Sequence, residues 1–570
     1  MRLRLNILIA LLPCMLMAQS GLNVTGRISL RTLYTDYDEI SKIKPDSIPD
    51  KQYAKTSTIP GLQEALNIAL FARTRKLDIS FLSDIQNNPW NKLDRAQNIN
   101  RISLSARFGQ NEIVLGDFFD SGSEFFIQSR EVRGLRMNFR IADLWNRNSY
   151  LQTKISGGLV EKAFSIGDPL QGVYHQYENS GQFQRYFGST VLHVGDNRYF
   201  DFGLKYLYAK DDPASISESI NEPLKNQNFG WSALVYLWEK HIQLFGEGYL
   251  SKKDTLSASG INDHAYKGGF DFRYQNFKLQ TFYQRIGYDY YSAGYPYLQN
   301  NRQGFKMVTG YYFPSILSLT FEGEQYQDNL DDADLMPTTD TRLAEAGFTT
   351  HFKNMPELTL KWRFRDDNSN VILDTVKTEK VSRGIEGGLA FSLDAHRISL
   401  SAIYLNLDDN SVLTSGQPLG TEQFIASLNF YTRPMNTMFL SGGSVYSTLK
   451  MTNDQENKNL YAYVSGRWDV IPRVIKFETT INYILNDAAN GGNQDMLGDY
   501  AQFGSEFSIE YFFNSNISFK LIGGSDFRHM DYSMAAARQV IEDPDYGATF
   551  FNGYETFDSM KYGAELNWIF

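Results

Sequence analysis

The 570-residue chain holds one cysteine and, after its first twenty residues, no long apolar run; each shortage removes a class of protein. Cys14 lies inside an N-terminal leader, so the mature chain is expected to carry no thiol, disulfide framework or cysteine metal site. No later stretch supplies the roughly 18 consecutive apolar residues of a membrane-spanning helix. Mean hydropathy is -0.38, too polar for a helical membrane bundle. Basic charge is also short: the net charge is -10 and the pI near 5.4, whereas a nucleic-acid binder normally shows a basic patch.

Residues 1–18 read as a secretory signal peptide. Arg2 and Arg4 precede the apolar run Leu5–Leu16, which Asn6 and Pro13 interrupt, and Ala18 offers a small residue for cleavage before Gln19. Pro13 before Cys14 is unlike the small residue that lipoprotein acceptor sites favour.

What the chain does have is aromatics, 35 Tyr and 40 Phe, together with 44 Gly. From Val24 onward polar and apolar residues alternate with period two. In Asp201–Lys210, Phe202, Leu204, Tyr206 and Tyr208 share a face. In Ile475–Tyr483, Ile475, Phe477, Ile481 and Tyr483 oppose Lys476, Glu478 and Asn482. Only a strand separates the two sets.

About 26 such segments (range about 22–26) have the length of a tilted bilayer-crossing strand. Short connections such as Gly109–Asn111, Gln275–Asn276 and Asp394–Ala395 alternate with long ones: Thr35–Gln63, Glu161–Gly181, Asp211–Lys225, Tyr288–Asn301, Gln327–Thr339 and Arg528–Ser559. The expected fold is all-β: one transmembrane antiparallel up-and-down barrel over residues 19–570, with short periplasmic turns and long extracellular loops. Such a barrel implies outer-membrane lipid as its surroundings.

The final segment, Met560–Phe570, places Tyr562, Ala564, Leu566, Trp568 and Phe570 on one face. It resembles the C-terminal signal of bacterial outer-membrane barrels, which implies the barrel-insertion machinery as a partner. A second, local resemblance lies in Leu115-Gly116-Asp117-Phe118 and Val132-Arg133-Gly134-Leu135-Arg136-Met137, similar to a Gly-Asp…Arg-Gly segment of fimbrial usher barrels and large secretion translocons. The same glycines equally suit tight packing where a neighbouring backbone approaches. A plug like that of TonB-dependent receptors would need over a hundred residues ahead of the first strand, and ushers carry periplasmic domains as well; neither has room here.

Parity assigns two sets of charges to the lumen. Arg27, Arg31, Arg101, Arg107, Arg136, Arg140 and Lys154 make an early cationic arc. Glu322, Glu324, Glu386, Glu478, Glu506, Glu510 and Glu565 make a later anionic arc, with Lys361, Arg363 and Lys476 among them. The arcs either face each other across the lumen, sorting polar solutes by a transverse field, or solvate a wet wall and pair with neighbours. A lumen this wide, with no plug domain, must be open, filled by a partner, or closed by loops. The loops Thr35–Gln63 and Arg528–Ser559 have the length to close it; the second contains a short helical candidate, Ser533–Asp543, and the aromatic stretch Tyr546–Phe557.

Chemistry finds little footing. Asp328, Asp331, Asp332 and Asp334 form an acidic run without EF-hand spacing, a weak Ca²⁺ candidate beside solvated loop charge. His529 lies near Asp526 and Asp531, a conceivable proton-transfer group, but Gly-x-Ser-x-Gly, His-Glu-x-x-His and phosphate-loop motifs are all absent. The expectation is a non-enzymatic pore for polar solutes, without cofactor. The alternatives are a translocation or assembly barrel, occupied by a plug or secretion partner, and an adhesive surface barrel.

Overall fold

The computed structural model describes residues 23–40, 61–87, 101–163, 181–216, 219–258, 260–331, 337–353, 355–370, 377–411, 419–452, 455–490, 494–495, 500–530 and 556–570. These form one closed antiparallel barrel of 26 strands. It runs from β1 (Asn23–Ile40) to β26 (Thr556–Ile569), each strand pairing with the next and β26 with β1. A two-residue strand, Gln494–Asp495, only lengthens the hairpin after β23 (Ile475–Asn490). Antiparallel neighbours meander because two-residue turns suffice on one rim: Gly109–Gln110 joins β4 (Arg101–Phe108) to β5 (Asn111–Asp120), and Gln275–Asn276 joins β12 (Ile261–Tyr274) to β13 (Phe277–Ile286).

The closing seam keeps one register over fourteen residue pairs, Arg27 with Ile569 to Ile40 with Thr556. Gly26 and Phe570 exchange backbone hydrogen bonds of 2.8 and 3.0 Å at its end. Among the 26 wall strands no edge is left for another chain to extend, which is how closure removes the hazard of an open sheet.

Alternation fixes which side chains face out. On β26, Met560, Tyr562, Leu566 and Trp568 are exposed, as are Leu30 and Tyr34 on β1. The Tyr34 and Tyr562 rings, opposite each other in register, lie 5.3 Å apart. Leu400, Phe424, Val464, Ile481 and Phe507 continue this outward set around the ring. A soluble sheet would bury such a face; a closed wall apolar outside and polar inside suits a bilayer.

The strands bordering the long connections run further than sequence suggested. β1 continues to Ile40 and β2 (Gly61–Arg73) begins at Gly61; β25 (Ile517–Met530) and β26 likewise extend past Arg528 and before Ser559. Backbone pairing persists where the alternation of apolar and polar residues lapses, because ladder hydrogen bonds do not depend on hydrophobic pattern. The loops Thr35–Gln63 and Arg528–Ser559, the helical candidate Ser533–Asp543 and most of Tyr546–Phe557 lie largely outside the described residues.

Candidate functional site: the lumen wall and its inward loops

Two connections on the long-loop rim fold inward. Residues 121–129, between β5 and β6 (Arg130–Ala142), bring Phe125, Phe126 and Ile127 to near-complete burial. Residues 287–301, between β13 and β14 (Arg302–Phe313), bring Tyr290 and Ala293 against them. The two meet in a parallel bridge, Ile127 to Gly294, where a Cβ on Gly294 would stand 2.2 Å from the Phe126 carbonyl oxygen. Only glycine admits that approach.

The wall beneath is the inward face of β8 (Gln184–Asp196), β9 (Phe200–Asp212), β10 (Lys225–Leu237), β11 (Ile242–Asp254), β12 and β13. It contributes Phe187, Leu207, Ala209, Tyr249, Ala265 and Ile286. Tyr249 stacks on Phe126 with ring centres 5.9 Å apart and meets Phe125 edge-on at 6.0 Å. Each buried aromatic contributes roughly 1.5–3 kcal/mol.

Polar groups anchor the inner loop to the wall. Asn226 accepts from the Ala293 N–H at 2.9 Å and donates to the Tyr291 carbonyl at 3.2 Å. Asn228 and Ser251 donate to the same carbonyl at 3.1 and 2.6 Å. Ser292 Oγ donates to the Phe126 carbonyl at 2.6 Å. Burial pushes the Tyr290 phenol well above its ordinary range and raises that of Tyr291, so both stay protonated. Sequence reasoning named Tyr288–Asn301 only as a long loop and missed 121–129. The signal was there: an apolar Phe-Phe-Ile run inside a connection, with no outward face to serve.

All fourteen charges of the two arcs stand on the face opposite the exposed apolar set, by register from one strand to the next. Few are bare. In the early arc Arg107 and Arg136 share Glu112, each at 2.9 Å. Arg101 reaches Glu131 at 3.3 Å, Lys154 pairs with buried Asp120, and Arg27 bonds Asn567 at 2.7 Å and Glu565 at 3.4 Å. Arg140 donates to Asn197 at 3.1 Å and lies over the Tyr150 ring. Arg31 makes no ion pair or hydrogen bond with a described residue, and its buried Nε has no partner.

The later arc is paired as well. Glu322 and Glu324 hold Lys306 at 2.5 and 3.4 Å, and Glu386 holds Arg363 at 3.0 Å with Lys361 at 4.0 Å. Lys476 bridges Glu510 at 2.5 Å and Glu478 at 3.4 Å; Lys520 reaches Glu478 at 3.0 Å, and Lys561 reaches Glu506 at 3.1 Å. Ring closure also places Glu565 beside the cationic arc rather than across from it, since β26 adjoins β1.

In the early arc the base is the more exposed partner of each pair, whereas the later arc is mixed. Arg107 is 62% exposed above Glu112 at 18%, and Arg27 57% above Glu565 at 15%. In the later arc Glu506 is more exposed than its Lys561, but Glu386 and Glu510 lie beneath Arg363 and Lys476. In the early arc the acids lie against the wall and the guanidiniums reach inward.

Within that arc a cavity of about 710 Å³ opens between β1 and β6. Its lining includes Arg27, Arg31, Arg101 and Arg136, with Ser29, Asn67, Ser103 and Asp84.

The Gly-Asp…Arg-Gly segment sits at its edge. Asp117 takes Arg133 at 2.7 and 3.1 Å and also accepts the Ile102 N–H at 2.8 Å, where β4 begins. Gly116 holds φ at +97°, and a Cβ there would lie 2.0 Å from the Ile102 carbonyl oxygen. A Cβ on Gly134 would lie 2.0 Å from that of Gly157. The glycines serve close backbone approach.

Of the acidic run, Asp328 caps the Thr339 N–H at 2.6 Å, while Asp332 and Asp334 lie outside the described residues. Asp331 is described, but among the described residues no three His, Cys, Asp or Glu gather as for a metal. Asp526 stands 4.0 Å from Lys561; the His529 side chain and Asp531 lie outside the described residues. A close Asp–His contact lies elsewhere, His193 Nδ1 to Asp201 at 2.6 Å, with Tyr150 also donating to Asp201.

No family model matches the chain, and no curated protein matches it. Solved structures do align with it. The copper transporter OprC covers 96% of this chain and 80% of its own at 8% identity, TM-score 0.44. The ferric-catecholate import receptor Fiu from E. coli K12 covers 95% and 81% at 9% identity, TM-score 0.38. The translocation pore of the P pilus usher PapC covers 95% and 98% at 10% identity, TM-score 0.28.

Proposed function

We propose that the chain is a non-catalytic outer-membrane pore for polar solutes, with its short turns periplasmic and its long loops outside the cell. Residues 1–18 direct export, and the outward face of Tyr562, Leu566, Trp568 and Phe570 is read by the barrel-insertion machinery. The observation that carries the reading is the wall itself: apolar outside, and inside a lattice of charges whose guanidiniums stand proud of their acids in the early arc. A low-dielectric wall focuses such a field. The inward loops narrow the lumen on the side of β8–β13.

Single-channel recording in planar bilayers tests this. The expected protein conducts, and Arg27→Glu, Arg101→Glu and Arg107→Glu together shift its selectivity toward cations. Absence of conductance overturns the pore; unchanged selectivity overturns the role of the arc.

One observation favours a second reading, a lumen occupied by a partner protein. Ile403, Ile425, Val445 and Tyr461 fall on the inward face by register, and Val445 and Tyr461 are exposed there. A partner that stays bound through detergent solubilisation is the outcome this reading requires.

A further inference from the structure

We propose that the cavity between β1 and β6 is a binding site for a sugar carrying an oxyanion, a carboxylate or a phosphate. The inference deepens the pore reading, on which it rests for the route by which the ligand arrives.

Arg31 carries the argument. It lines the cavity and faces Glu565 in register, yet Glu565 is taken by Ser29 at 2.9 Å and Arg27 at 3.4 Å. That leaves Arg31 a permanent charge with no counter-ion among the described residues and a buried Nε with no acceptor. A planar five-donor fork matches carboxylate and phosphate oxygens, and a guanidinium without a counter-ion favours an anion that supplies one.

The surroundings suit the rest of a sugar. Ser29, Asn67 and Ser103 supply hydroxyl and amide groups along the wall. Phe118 and Phe119 supply apolar faces, each steadied by a guanidinium, Arg136 at 5.2 Å and Arg101 at 5.3 Å from the ring centres. The volume of about 710 Å³ lies within the range of small-molecule sites. Of the lining carboxylates, Glu112, Asp117 and Glu565 are engaged by arginine, which reduces their repulsion toward an incoming anion, while Asp84 takes, among the described residues, only the Gln86 amide.

The test is calorimetric titration of the full-length protein in detergent micelles with glucose 6-phosphate, glucuronate and glucose. Both anions are expected to bind saturably, and glucose at least tenfold more weakly. Arg31→Ala is expected to weaken both anions tenfold or more and Arg31→Lys less, whereas Arg365→Ala, across the barrel, changes nothing. Equal binding of glucose and the anions, or no saturable binding, overturns the site, as does an Arg31→Ala protein of unchanged affinity. The comparison on the unaltered protein stands even if the variants fail to fold. Binding of one anion alone identifies which oxyanion is meant. Conductance without anion binding overturns this inference and leaves the pore; anion binding without conductance does the reverse.

Discussion

Tyr290 donates its phenolic hydrogen to the main-chain carbonyl of Phe125 at 2.5 Å, tying together two loops that lie 165 residues apart in the chain. Both residues are buried, so no water replaces the bond when it is lost. Tyr290→Phe leaves the Phe125 carbonyl unsatisfied and is expected to destabilise the inward fold by about 1–3 kcal/mol. Larger or noisier single-channel conductance, together with faster proteolysis within residues 121–129, checks this; Tyr288→Phe, exposed on the same loop, is the silent control.

The same phenol gives a pH dependence. Its acidity is weakened by burial, so its folded pKa lies above the unfolded value. The stabilisation is therefore fully present below the ordinary phenol pKa of about 10 and is lost as pH rises beyond it. Channel noise and loop proteolysis are expected to stay flat through neutral pH and to climb only in strongly alkaline buffer. The Tyr290→Phe protein should show a smaller climb, with Tyr291 on the same loop keeping its share.

The outward face can be tested by placing one charge at neighbouring heights on the two sides of the wall. Ile385 is exposed on the apolar face of β18 (Glu379–Leu393). Ile403 on β19 (His396–Asp409) lies inward, opposite Glu386. Ile385→Arg is expected to cost about 2–4 kcal/mol if that height is near the bilayer midplane, and Ile403→Arg little. Urea unfolding in lipid vesicles reads the difference, and equal costs would remove the bilayer from the account.

Glycine positions separate steric need from composition. Gly116→Ala meets a carbonyl oxygen 2.0 Å away at a φ of +97° and is expected to abolish recovery of folded barrel. Gly188→Ala, with no atom within 4 Å of its would-be Cβ, is expected to fold normally. Heat-modifiable migration on a gel distinguishes the two.

Much of the fold could be read from the sequence because a strand's period is fixed. Once Phe202, Leu204 and Tyr206 share a face, the opposite faces of Asp201 and Lys205 follow without knowledge of any neighbour. The short turns were equally legible, being local. Pairing was not. Arg107 and Glu112 flank one turn, but that Arg136 shares Glu112, or that Lys154 finds Asp120, depends on register between strands. Period two leaves register open until the turns and side-chain faces are all in place. What the inward loops pack against was hidden for another reason: nothing within Ser121–Ser129 says that Tyr249 waits opposite, more than a hundred residues on.

The seam between β1 and β26 joins residues more than five hundred positions apart, and every other wall contact can form before it. Until it zips, the nascent sheet has two naked borders, each able to recruit a foreign strand. Completion is thus a single late event with a heavy loop-closure penalty. A cysteine pair set across it at Thr32 and Ala564, which face each other in register, would let that event be timed and, once oxidised, made irreversible.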